Sequence, residues 1–274
     1  MVYKWRCGSC SHAVWSDDRA RLDDEIRSHL FDHYAGRVSK SDFRYTWDCP
    51  FCGATTTTHD RDAAVEGFEE HLADHVSDRV ESGVHVADEI DRCGNLLVEA
   101  PLESASADYA REALYSIADV VVVVTSNPRA RIELLGETRS EWPAHTVVLT
   151  TKRRPLDERL DFDFADVSIE LVEIDQRLGP NDLGETISRV IDRHGEPGRQ
   201  LCLEFDIVYE IIRSFDLRTS YDFVSQISTR LREAGAVSQF YVDPQPQLES
   251  VLNVLDDEFD LKLAAKERSL VSAG

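Results

Sequence analysis

The N-terminal third of the chain carries the same cysteine and histidine pattern twice. Each copy reads Cys-x2-Cys-x18-His-x3-His, and every ligand recurs 42 residues later without insertion or deletion. The eight residues are Cys7, Cys10, His29 and His33 in the first copy, and Cys49, Cys52, His71 and His75 in the second. Two thiolates and two imidazoles complete a tetrahedral shell and leave no position for a reactive water. The pattern therefore predicts that the cofactors of this chain are two structural Zn²⁺ ions.

The residues around the ligands predict the same small fold in both copies. Histidines four positions apart lie on one face of a helix, and apolar side chains share that face, such as Ile26 in the first copy and Phe68 in the second. A unit of about 40 residues buries too little apolar surface to be stable alone. We therefore expect two ββα-like C2H2 modules, over residues 1–40 and 41–80, that need their metal to fold.

Spacing and charge bear on what these modules bind. The x18 gap is longer than the x12 gap of common DNA-reading zinc fingers. Residues 41–80 hold nine acids against three bases, whereas a surface that binds phosphates needs the opposite sign. The first module is nearly neutral, and Arg19, Arg21 and Arg27 on its helix are its candidate nucleic-acid contacts. A protein partner is the first hypothesis for the modules, and nucleic acid is the second.

The composition is strongly acidic, with 52 Asp and Glu against 30 Lys and Arg and a net charge of −22. Lysine is scarce and arginine abundant, a combination typical of a salt-adapted protein, in which uniform acidity reflects the solvent rather than the partner. The apolar run at Val120–Val124 is far shorter than a membrane span. We therefore expect a halophilic, cytoplasmic protein without a membrane partner.

The pattern changes after a charged connector at residues 81–94. Over residues 95–274, apolar strands such as 120–125 alternate with amphipathic helices such as 181–194. Strands that are apolar on both faces and are separated by helices indicate a parallel sheet covered on both sides. The predicted fold class is α/β, with a mostly parallel sheet preceded by the two small modules.

Short segments of this region, in order along the chain, carry a family resemblance. They are Asn95–Pro101, Asp182-Leu183-Gly184, Leu201–Asp206, Ala234–Val237 and Phe240–Pro244. Together they resemble a degenerate RecA/KaiC-type P-loop ATPase domain and, more narrowly, a haloarchaeal family of unknown function labelled HTR-like. The resemblance implies a RecA-like domain that could associate with other copies through its flanks.

The phosphate-binding loop of that fold is missing. A P-loop needs glycines, a lysine and a Ser or Thr, but Ala100–Asp108 contains neither glycine nor lysine, and Glu103 brings a negative charge. Ser104 and Ser106 are predicted only to cap the next helix. Glu204 and Asp206 stand where the resemblance implies a Mg²⁺-binding acid, and we interpret them as polar residues at a strand end. We assign no catalytic or nucleotide-binding residue and expect no ATP hydrolysis.

These observations favour a non-catalytic regulatory or adaptor protein. The zinc modules would bind a protein partner, and the RecA-like domain would serve as a docking or oligomerisation platform. The alternative is a transcriptional regulator that contacts DNA through its zinc modules, and a residual nucleotide sensor ranks last. The sequence leaves open the partner, the oligomeric state and whether the two modules pack as one unit.

Overall fold

The computed structural model describes residues 1–138, 142–153, 167–175, 179–245 and 248–272, which form two compact units. The first unit comprises Met1–His85 together with the segment that begins at Arg268, and the second comprises Val86–Glu267. The end of the chain thus groups with the N-terminal modules, although the sequence analysis assigned all of residues 95–274 to the α/β domain.

The first unit contains the elements that hold the cysteines and histidines. Its elements are β1 (Tyr3–Arg6), β2 (Ala13–Ser16), α1 (Arg19–Tyr34), β3 (Val38–Ser41), β4 (Arg44–Asp48), β5 (Thr55–Thr58), α2 (Arg61–Asp74), β6 (Glu81–Ser82) and β14 (Ser269–Ser272). Each helix begins after an aspartate whose side chain accepts hydrogen bonds from backbone N–H groups of the first turn, Asp18 before α1 and Asp60 before α2. The caps are 42 residues apart, so the repeat extends to the helix starts.

The strand that follows the helix of each module pairs with a strand of the other module. The strand after α1, β3, pairs with β4 of the second module, and the strand after α2, β6, pairs with β1 of the first. Ser39 lies opposite Thr46, and Glu81 lies opposite Lys4, so both pairings have the same register once the offset is removed. Strand β2 pairs with β1 on one side and with β14 on the other. The repeat is therefore closed by reciprocal strand pairing.

One apolar core serves both modules. Trp5 and Ile26 from the first copy and Trp47 and Phe68 from the second belong to the same buried cluster. The core also includes Val271 of β14. The modules therefore pack as one unit, and neither has a complete core of its own.

The second unit is built on seven parallel strands. Its elements are β7 (Gly94–Glu99), α3 (Ala105–Tyr115), β8 (Val120–Val124), α4 (Pro128–Thr138), β9 (His145–Thr150), β10 (Ile169–Glu173), α5 (Pro180–His194), β11 (Leu201–Phe205), α6 (Val208–Ser214), α7 (Leu217–Glu233), β12 (Val237–Val242), α8 (Glu249–Leu255) and β13 (Leu261–Lys266). The strand order is β10-β9-β8-β11-β12-β7-β13, and every pairing within it is parallel. None of the helices in the described part of the chain is long and apolar enough to cross a membrane.

Helices cover both faces of this sheet. Val122 belongs to a large core cluster that also includes Ile187 of α5 and Phe223 of α7. Side chains alternate along a strand, so Val121 and Val123, which are also fully buried, face the opposite layer. That layer contains α3, whose side chains contact the alternate positions of β11 and β12. The structure confirms the predicted class, a mostly parallel α/β sheet with small N-terminal modules.

Candidate metal centres and a buried charge network

The first cysteine and histidine set converges on one point. The thiols come from the β1–β2 hairpin, and both imidazoles come from α1. Cys10 Sγ lies 3.4 Å from Nε2 of His29 and 3.3 Å from Nε2 of His33, while Cys7 Sγ lies 3.8 Å from Nε2 of His33. Ligands of a tetrahedral Zn²⁺ with ordinary bond lengths are roughly 3.4–3.6 Å apart. The four ligand atoms, all within 4.8 Å of one another, could hold one metal ion.

The second set repeats this geometry between the β4–β5 hairpin and α2. Cys52 Sγ lies 3.3 Å from His71 Nε2, and the Nε2 atoms of His71 and His75 are 3.2 Å apart. With Cys49 they form a second group whose ligand atoms lie within 4.8 Å of one another. All eight residues predicted as ligands are thus brought together in two groups, each of which could bind a metal ion.

Backbone amides prepare the first cysteine of each hairpin for coordination. Ser9 N–H points at Cys7 Sγ and Phe51 N–H at Cys49 Sγ, each across 3.4 Å. Such bonds stabilise a thiolate, which is the form that binds metal. The second hairpin turns at Gly53, whose φ of +71° favours glycine. Both turns therefore direct a backbone donor at the first sulfur of the set.

The first histidine of each set packs against a tryptophan ring. The rings of Trp5 and His29 pack edge to face with centroids 5.7 Å apart, and those of Trp47 and His71 lie 5.1 Å apart. Burial, followed by the neighbouring His12 and His33, lowers the pKa of His29 to about 4. A neutral imidazole is the form that coordinates, so this ligand needs no deprotonation near neutral pH.

The candidate nucleic-acid contacts have acidic neighbours. Arg19 Nε donates to the carboxylate of Asp23 at 3.0 Å, and Arg27 lies 3.9 Å from Asp24. Arg21 is exposed. Arg27 also lines a cleft of about 220 Å³ between α1 and α2, and the other residues of this cleft are Asp24, Ser28, Glu66, Glu69 and Glu70. Acids outnumber bases in the cleft, so the local field attracts cations.

A buried charge network occupies the strand ends of the α/β unit. Glu204 of β11 and Asp206 just after it are both buried, and they meet two arginines whose side chains are almost fully buried. Arg111 Nε donates to Glu204 Oε1 at 2.8 Å. Arg131 Nε lies 3.1 Å from the same oxygen and 3.3 Å from Asp206 Oδ2. Thr125 Oγ1 donates to Asp206 Oδ2 at 2.6 Å, so this carboxylate is bound from both sides.

The loop that would hold phosphate in a P-loop protein turns a carbonyl toward the same arginines. Leu102 O accepts from Arg111 at 3.0 Å and from Arg131 at 3.3 Å, and Glu103 Oε1 also accepts from Arg131. Ser104 caps α3, as predicted, by accepting from the backbone N–H of Ala107. The loop therefore presents acceptors to protein cations instead of amides to an anion.

The network determines the charge state of its members. Burial raises the pKa of the Glu204 carboxyl above its usual range, and Arg111 opposes that rise. The guanidinium of Arg111 lies 4.3 Å from the ring centroid of Tyr241 on β12, and burial keeps this phenol neutral by raising its pKa. An ionised Glu204 in this layer depends on its arginines, because a buried charge without a partner is costly.

The two arginines were missed from the sequence, although one signal was available. Arg111 lies four residues after Ala107 and three before Leu114, on the apolar side of α3. An arginine in that position must either leave the core or find an acid inside it. Glu204 and Asp206, interpreted from the sequence as polar residues at a strand end, are those buried partners.

Sequence comparison places the α/β unit in a family. Residues 93–264, more than half of the chain, match the model of a family of unknown function (DUF7504). The chain therefore belongs to this family, and the unit that carries the two Cys2His2 groups lies entirely outside the matched residues. No functionally curated protein is significantly similar to the chain.

Solved structures give weak, fold-level similarities. PH0250 from Pyrococcus horikoshii has 8% identity and a TM-score of 0.42, covering 67% of this chain and 89% of that one. PH0321 from the same organism, solved with an unknown peptide, has 11% identity and a TM-score of 0.44, covering 66% and 82%. A DnaB-like replicative helicase, from a study of its interactions with primase, has 11% identity and a TM-score of 0.39, covering 63% and 46%. Similarities of this size say nothing about activity.

Metal content tests the two Cys2His2 sites. We expect Cys10→Ser or Cys52→Ser to hold one metal ion fewer per chain than the intact protein, because each substitution removes one thiolate from a four-ligand shell. We also expect faster amide hydrogen exchange in both α1 and α2 of either variant, because the modules share a core. Elemental analysis and hydrogen-exchange mass spectrometry measure these effects. Cys93→Ser, outside both sites, is the matched control, and loss of protection in one helix alone would contradict the shared core.

A double-mutant cycle tests the buried network. Glu204→Leu or Arg111→Met alone should cost about 3–5 kcal/mol in the free energy of unfolding, because each leaves a buried charge with fewer partners. The double variant should cost much less than the sum of the two. The half-exposed pair Arg129–Glu133, joined at 2.7 Å, is the matched control and should show a coupling of about 0.3–0.5 kcal/mol. Additive losses at Arg111 and Glu204 would mean that the two side chains are not energetically coupled.

Proposed function

We propose that this protein is a non-catalytic adaptor. Its two metal modules, loaded with Zn²⁺, bind a protein partner, and its degenerate RecA-like unit is a docking or oligomerisation platform. The observation that carries the proposal is the arginine-filled acid cluster at the ends of β8 and β11. In a working P-loop ATPase the equivalent acid and loop hold Mg²⁺ and phosphate.

Charge supports the absence of nucleotide chemistry. The network joins Arg111 and Arg131 to four acids, namely Glu103, Asp108, Glu204 and Asp206. Arg111 Nε and Nη1 and Arg131 Nε and Nη2 already donate to these acids and to Leu102 O, so these donors offer little to an incoming phosphate. The remaining negative charge opposes a triphosphate, and the acids needed for Mg²⁺ are bound to guanidinium groups.

The first unit supports a structural role for metal and a protein partner. Two thiolates and two imidazoles in each site suit Zn²⁺ and leave no open position. The cleft between α1 and α2 is acidic, which favours basic side chains of a partner over a phosphate backbone. The family likeness to haloarchaeal HTR-like proteins and the acidic composition support a salt-adapted setting, in which such contacts need close range to escape screening.

Nucleotide titration tests the non-catalytic half of the proposal. Calorimetry of the metal-loaded protein with ATP and Mg²⁺ should show no binding, and phosphate release should equal that of buffer. ATP hydrolysis that disappears in Glu204→Ala, but persists in the surface control Glu133→Ala, would defeat the adaptor proposal. The comparison separates an intrinsic activity from a contaminating one, because only the first depends on Glu204.

Partner capture tests the other half. A partner should first be isolated at high salt with the full chain as bait. This partner should bind the purified chain directly. It should bind the Glu70→Lys variant at least about tenfold more weakly, because the substitution reverses a charge in the cleft. Asp78→Lys makes the same charge change on the same unit outside the cleft, and it should bind normally. Salt-dependent binding of duplex DNA that is lost when Arg19, Arg21 and Arg27 are replaced by Glu would instead support the transcriptional alternative.

A further inference from the structure

Three metal-ligating side chains of the α/β unit meet away from the charge network. His145 is the first residue of β9, Glu170 lies on the neighbouring strand β10, and His194 is the last residue of α5. Their ligand atoms lie within 4.8 Å of one another. No sequence pattern indicates this group, because its members are about 24 residues apart and belong to three elements.

The distances within the group suit one coordinated cation. Glu170 Oε2 lies 3.8 Å from His145 Nε2 and 3.5 Å from His194 Nε2. Ligands around a tetrahedral ion with metal–nitrogen and metal–oxygen bonds of ordinary length stand roughly 3.4 Å apart. The two imidazole rings stack with centroids 4.3 Å apart and planes inclined by 21°, so the pair is held close by packing.

Other polar atoms of two of these side chains already have partners. His145 Nδ1 lies 2.5 Å from Ser168 Oγ, and Glu170 Oε1 accepts from Arg193 at 2.8 Å. The Nε2 atoms of His145 and His194 are shielded from solvent and have no hydrogen-bond partner among the described residues. Such outer contacts orient the rings and the carboxylate of a metal site and leave the inner atoms for the ion.

We propose that His145, Glu170 and His194 form a third metal site, which takes a borderline divalent cation such as Zn²⁺. Two imidazoles and one carboxylate suit this class of ion. Unlike the two Cys2His2 sets, three ligands leave at least one coordination position open to water or to a donor atom from a partner. The site goes beyond the adaptor function, because it lies in the unit to which no ligand has been assigned.

Cobalt titration of the full chain, with its Cys2His2 sites loaded with Zn²⁺, tests this site. We expect one further equivalent of Co²⁺ to give ligand-field bands without a thiolate-to-cobalt charge-transfer band, because this site contains no cysteine. Glu170→Gln and His194→Gln should abolish that equivalent. Glu173→Gln, on the same strand but three residues away, is the matched control and should retain it. Titration at high salt suppresses non-specific attraction to the acidic surface.

A second measurement guards against misfolded variants. Ser168→Ala keeps all three ligands and should weaken Co²⁺ binding about 10–100-fold, which is the usual effect of losing an outer-shell partner. Circular dichroism should show the wild-type fold in each variant. The proposal is overturned if the wild-type chain binds no additional Co²⁺, if the new bands include thiolate charge transfer, or if Glu170→Gln binds as tightly as Glu173→Gln.

Discussion

Burying charge is costly unless the opposite charge lies beside it, and this constraint applies to the centres of both units. In the first unit, two thiolates in each set match the charge of one divalent cation while two neutral imidazoles complete the shell. In the second unit, Arg111 and Arg131 lie beside Glu204 and Asp206 and supply the positive charge that these carboxylates would otherwise need from a metal ion. The same electrostatic requirement applies to both units, but the first would meet it with an external ion and the second meets it with its own side chains.

The exchange of strands explains why the repeat has kept a constant spacing. A change of one residue in the segment between α1 and β4 would shift β3 against its partner and turn its side chains to the other face. The same change between α2 and β6 would disturb the equal register of β6 with β1. Because a single core includes Trp5 and Trp47, a substitution that disturbs packing in either copy should destabilise both. The constant spacing of the repeat is therefore required by the strand pairing and by the positions of the two Cys2His2 groups.

Local sequence patterns predicted much of the fold, but they could not identify contacts between residues that are far apart in the sequence. The spacing of Cys7, Cys10, His29 and His33 implied a common site, because the hairpin and the helix face each restrict where these ligands can point. The strands and helices of the α/β unit follow from apolar periodicity. The contact between Arg111 and Glu204 joins residues 93 positions apart, and β14 pairs with a strand near the opposite end of the chain. Periodicity states which face is buried, but it cannot name the partner on the other side.

Metal binding has a different thermodynamic meaning in the two units. The N-terminal modules share a smaller apolar core than the α/β unit, so the free energy of coordination would there also be free energy of folding. The α/β unit has a large core in which Ile187 of α5 and Val122 of β8 are fully buried, so β9, β10 and α5 are positioned without metal at His145, Glu170 and His194. An ion at that group would add stability only in proportion to its concentration relative to its dissociation constant. Its occupancy would therefore follow the supply of metal while the fold stays intact, a property that a closed structural site does not have.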